Sequence, residues 1–127
     1  MRESNLLHIR PKIPTIIEKN ATSDWEIFQN KTLRPILKLQ HDLLLQVFKD
    51  YIIKRKGAFY TLNQTKRLAY VEQCIRKDNR FKQYLVGIIV GQFTLLEYQT
   101  FMAQEKELMR RITDLLIQRL QSQIAVF

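Results

Sequence analysis

The sequence predicts an all-α protein: a helical bundle with an extended N-terminal arm and a long C-terminal helix. Three observations predict it. Apolar residues recur at spacings of three and four from Ser23 onward, the period of one buried helix face. Ser23 with Glu26, and Thr94 with Glu97, match the capping-box spacing that opens helices. Finally, 127 residues contain only three Gly and three Pro, too few for a turn-rich β fold punctuated every 8–12 residues or so. The length fits one domain, divided here into an arm over residues 1–22 and a helical domain over 23–127.

The arm is predicted to be extended because Pro11 and Pro14 disfavour helix through them and push Arg10 and Ile13 towards extended geometry. Leu6, Leu7, Ile9, Ile13, Ile16 and Ile17 are too apolar for a solvated tail. The arm is therefore expected to lie as a strap in a groove of its own subunit or of a second one. Ser23 opens the first helix, which breaks and restarts near Thr32, since Pro35 suits a first turn and not an interior. From Leu33 through Ile36, Leu37, Leu43, Leu44, Val47, Phe48, Tyr51 and Ile52 runs one apolar stripe, with Gln40 as a polar gap. Lys54, Arg55 and Lys56 complement the C-terminal dipole of that helix, and Gly57 supplies a left-handed stop.

Ala58–Asn63 is a connector, followed by a helix over Gln64–Lys77 that buries Leu68, Val71 and Ile75. Asp78-Asn79 starts another, carrying Phe81, Tyr84, Leu85, Ile88 and Ile89 towards Gly91. Gly87 and Gly91, four apart, predict a close helix crossing, within the chain in preference to between subunits. The capping box at Thr94 opens a stripe to Leu120 without Gly or Pro. Helical to Gln121, it would be on the order of 40 Å long at about 1.5 Å per residue. That length exceeds what a compact domain of this size needs and points to a homodimer.

Charge is concentrated. Lys54, Arg55, Lys56, Lys66, Arg67, Arg76, Lys77, Arg80 and Lys82 are opposed only by Glu72 and Asp78, so this segment carries +7 of the chain's +9. On a helical wheel Lys66, Tyr70, Gln73 and Lys77 fall on the side opposite Leu68, Val71 and Ile75. The predicted binding face is Lys54, Arg55, Lys56, Lys66, Arg67, Tyr70, Gln73, Arg76, Lys77, Arg80 and Lys82, offered to an acidic partner. Phe59, Tyr60, Tyr70, Phe81 and Tyr84 interleave with these cations, as rings would on a single-stranded nucleic-acid surface. The plainer reading makes several of those rings core and the charges a solvated face.

No catalytic constellation is legible. His8 and His41 lack ligand spacing, and no Glu-x-x-His occurs. Glu105 and Glu107 point apart on a helix, whereas Glu107 and Arg111 are spaced for a surface ion pair. No Ser stands in a nucleophile elbow, and Gly57, Gly87 and Gly91 cannot build a phosphate loop. No catalytic residue, metal ligand or cofactor is therefore assigned, and an enzyme is the least favoured class. Cys74 is the single cysteine, which suits a reducing compartment. The most apolar window, Tyr84–Val90, falls well short of the roughly 20 residues of a membrane span, and the N-terminus has no signal-peptide run. A cytoplasmic protein without a membrane partner is expected.

The strings Phe28-Gln29-Asn30-Lys31-Thr32-Leu33-Arg34-Pro35-Ile36, Tyr51-Ile52-Ile53-Lys54-Arg55-Lys56 and Gly91-Gln92-Phe93-Thr94 resemble a family of small all-helical bacterial proteins of unknown function. Some members of that family are called glyoxalases. Metal-dependent glyoxalases need strands that bring several His or Glu ligands together, and this chain has neither the alternation nor the ligands. The resemblance assigns no residue a role. The function expected is that of a small non-enzymatic interaction protein, with nucleic-acid binding as the alternative.

Overall fold

The computed structural model describes residues 1–13 and 23–127. The described residues are mostly helical, with no strand, and form an all-α bundle. The order is α1 (Arg2–Ile9), α2 (Asp24–Phe28), a π-helical turn (Gln29–Leu33), α3 (Arg34–Leu39), α4 (His41–Lys54), a 3-10 turn (Ala58–Thr61), α5 (Gln64–Lys77), α6 (Asn79–Val90), α7 (Leu95–Ala103), α8 (Glu105–Ser122) and a final 3-10 turn (Ile124–Val126). None of the described helices is long and apolar enough to cross a membrane.

α8 is the axis of the bundle. It buries Leu108, Ile112, Thr113, Leu115, Leu116, Ile117 and Leu120 against α4, α5, α6 and α7. Each fully buried aliphatic side chain contributes about 1.5–3 kcal/mol relative to exposure. Phe48 of α4 gathers Phe59, Phe81, Tyr51 and Phe127 around its ring. A second aromatic cluster joins Phe28, Phe93 and Phe101.

Several local signals act as their chemistry requires. Thr94 and Glu97 form the full reciprocal capping box. At Ser23 only the hydroxyl side of the box is made, because the Glu26 carboxylate accepts from the Ser23 hydroxyl and not from the backbone. Gly57 takes φ 65°, and Lys56 before it takes φ 62°, so two left-handed residues stop α4. Asn63 and Asp78 cap α5 and α6 through side-chain oxygens.

Four expectations are corrected. Residues 2–9 are helical, not extended. Pro11 constrains only what immediately precedes it, and Arg10 accordingly ends α1 in extended geometry at φ −68°, ψ 133°. α1 buries no residue, and Leu7 and Ile9 are exposed, so it is not an apolar strap on its own subunit; Ile16 and Ile17 lie outside the described residues. The chain does not break at Thr32. It widens into the π-helical turn, where the Arg34 amide donates to the Gln29 carbonyl five residues back, ahead of Pro35.

The long C-terminal helix is divided at Gln104, whose φ −134°, ψ 37° separates α7 from α8 without Gly or Pro. The length argument for a dimer goes with it. Lastly, a Cβ added at Gly87 would meet nothing within 4 Å, and one at Gly91 would meet only the Gly87 carbonyl oxygen at 3.1 Å. Among the described residues no helix crosses closely there.

A candidate anion-binding cleft

The cations between Lys54 and Lys82 are not equally free. Three of the arginines are tied down. Arg55 donates to Asp78 at 2.6 Å and lies over the Tyr51 ring at 4.2 Å. Arg67 lies over Phe59 at 4.8 Å and donates to the Tyr60 carbonyl. Arg76 bridges Asp114 at 3.0 Å and Glu72 at 3.5 Å, and the Asp114 bond foremost strengthens its hold on its proton. Tyr70 is not on the outer stripe. It is half-buried with its ring 5.6 Å from Phe59, because the apolar arc of α5 is wider than Leu68, Val71 and Ile75 alone.

Lys54, Lys56, Lys66, Gln73, Lys77 and Arg80 are exposed and Lys82 is half-exposed. Among the described residues none of these lysines, nor Arg80, pairs with a carboxylate.

Lys82 is where a concave site forms. With Arg76 from α5, and Lys106 and Arg110 from α8, it lines an open cleft of about 440 Å³ completed by Met109 and Thr113. Among the described residues no carboxylate lines the cleft. Arg76 and Arg110 are partly neutralised from outside it, the latter by Glu107 at 2.9 Å. Lys82 and Lys106 have no acidic partner among the described residues. Such a wall of one sign concentrates anions.

Charge counting missed Lys106 and Arg110, because residues 83–127 sum to zero. The available signal was spacing: Lys106, Arg110 and Thr113 stand at i, i+4 and i+7, one face of a helix. The expected Glu107–Arg111 pair is present at 3.4 Å, and Arg111 also stacks over Trp25 at 3.7 Å.

A second hollow, of about 590 Å³, opens beside the start of α6 and is lined by Lys54, Arg55, Arg80, Tyr51, Tyr84, Asp50 and Asp78 among others. Its chemistry is structural. The Tyr51 hydroxyl donates to Asp78 at 2.8 Å. That bond foremost, with the Phe81 amide, holds the Asp78 carboxyl below its usual range. Burial, followed by the same bond, pushes the Tyr51 hydroxyl up. Burial also pushes up Cys74, despite the neighbouring Tyr51 and Tyr70 hydroxyls. A thiol that keeps its proton is a poor nucleophile. Among the described residues no three His, Cys, Asp or Glu side chains are grouped as metal ligands.

No family model, curated protein or solved structure matches the chain.

Proposed function

We propose that this chain is a small non-enzymatic interaction protein that docks an acidic protein surface on the cleft between α5, α6 and α8. One observation carries the reading: four cations converge on a concave site, and two of them have no carboxylate partner among the described residues.

Protein is favoured over nucleic acid by where the rings go. Phe59 and Phe81 are buried and Tyr70 packs against Phe59, which leaves Tyr60 and Tyr84 as the exposed rings of that segment. Stacking of successive bases needs several. Cytoplasmic residence suits the lone, half-buried Cys74 and belongs to the same reading. So does a homodimer, now supported only by the exposed apolar residues that open α7, Leu95 and Leu96 at 68% and 72% exposure. Sedimentation velocity over a concentration series checks it.

The cleft is tested with Lys82→Glu/Lys106→Glu and two probes, a short poly-glutamate peptide and a single-stranded oligonucleotide, at about 50 and 200 mM salt. The proposal expects the peptide to bind the wild type and not the variant. Oligonucleotide binding that falls by orders of magnitude between the two salts would mark a phosphate-binding surface instead. Binding of neither probe at the lower salt would refute both readings.

A further inference from the structure

Away from the cleft, Arg34, His41 and Arg119 converge on the opposite flank of α8, where the α3–α4 kink meets its last turns. The Arg119 Nη1 group lies 3.0 Å from His41 Nδ1. A guanidinium can only donate, so Nδ1 accepts, and Nε2 is left as the N–H donor of the ring. Arg34 donates through Nε to Asn30, a buried side chain of the π-helical turn, at 3.1 Å. Its two terminal amino groups engage nothing among the described residues.

Neither arginine has a carboxylate partner among the described residues. Both line a hollow of about 240 Å³ with His41, Gln118, Ser122 and Gln123. Half-burying one guanidinium beside a second like charge is unfavourable without an anion. Burial first, and Arg34 second, weaken the hold of Arg119 on its proton.

We infer that this hollow binds a phosphoryl group, gripped by the Arg34 and Arg119 forks with the His41 N–H as a further donor. Guanidinium forks match the paired oxygens of such a group and keep their charge at any physiological pH. The volume is below the roughly 300–1,000 Å³ of drug-sized pockets, so the ligand is free phosphate or a small phosphomonoester. The site stands apart from the proposed docking cleft and does not depend on it.

The test is titration of the full ¹⁵N-labelled chain with inorganic phosphate, then glycerol phosphate, then acetate, following the amide resonances of Arg34, His41 and residues 118–123. Saturable shifts are expected with either phosphate probe, and the tighter of the two tells free phosphate from a phosphomonoester. Arg34→Gln and Arg119→Gln should each weaken binding by about tenfold or more, the size of a charge-assisted bond. Lys82→Gln/Lys106→Gln should change it by no more than about twofold, as distant sites do. If Arg119→Gln does not fold, Arg34→Gln alone decides, since its side chain is only partly buried. Non-saturable shifts, equal affinity for acetate, or a loss caused by the Lys82/Lys106 variant and not by Arg34→Gln would overturn the assignment.

Discussion

Arg10 grips Glu97 with both arms of its guanidinium, Nη1 to Oε2 at 2.6 Å and Nη2 to Oε1 at 2.7 Å. The two side chains are only 7% and 17% exposed. The same carboxylate accepts from the Thr32 hydroxyl and the Thr94 amide, and Arg10 donates also to the Gln92 carbonyl. One ion pair thus ties the N-terminal segment, the π-helical turn and the start of α7 together. Glu3 adds a second tether by accepting from the Leu95 amide at 2.9 Å. The N-terminal segment is held by polar contacts, not by burial of its aliphatic side chains.

Arg10→Ala should therefore cost about 3–5 kcal/mol, because it leaves the Glu97 charge buried and unpaired. Arg10→Ala/Glu97→Gln should recover part of that loss. Urea denaturation of the three proteins measures both. A loss below about 1 kcal/mol for the single variant, the scale of a surface pair, would mean that the pair is not formed in solution.

The same contact sets an acid dependence. Burial opposes ionisation of Glu97, but the Arg10 guanidinium, the Thr94 amide and the Thr32 hydroxyl outweigh it and hold the carboxyl below its ordinary range. A folded value below the unfolded one, near 4.3 or so, gives stability that is full above that value and is lost as pH falls through the folded one. Stability followed from about pH 6 down to 2 should drop less steeply in Glu97→Gln than in the wild type.

Local chemistry was legible in the sequence, and long-range chemistry was not. The bounds of α5, the left-handed Gly57 and the Thr94 box follow from residues within a few positions of each other. The Arg10–Glu97 pair joins positions 87 apart, and no periodicity reports such a contact. Gln104 divides α7 from α8 with no breaker residue, a tertiary decision that propensity does not contain. The cleft was half legible, since Arg76 and Lys82 stand in a charge run while Lys106 and Arg110 are hidden in a segment of zero net charge.

Tyr70 separates the two parts of the basic stripe. Lys66→Glu/Lys77→Glu should leave thermal unfolding almost unchanged, because both side chains are exposed. Tyr70→Ala should lose roughly 2–3 kcal/mol, less than the 3–5 of a fully buried ring, through its contact with Phe59. Equal melting temperatures for Tyr70→Ala and the wild type would place the ring outside the core.

Cys74 sits half-buried between Tyr51 and Tyr70, and burial raises its thiol above the ordinary range although both hydroxyls and Arg55 favour the thiolate. The thiolate is the reactive form, so a disulfide reagent near neutral pH should modify Cys74 more slowly in the folded protein than in urea. Two barriers contribute, the low thiolate fraction and the cover of the flanking rings. They separate by variant. Tyr70→Phe removes a hydroxyl that favours the thiolate yet keeps the ring, so it should slow the reaction further. Tyr70→Ala uncovers the sulfur and should speed it. Faster modification of the folded wild type than of the unfolded chain would show an activated thiol.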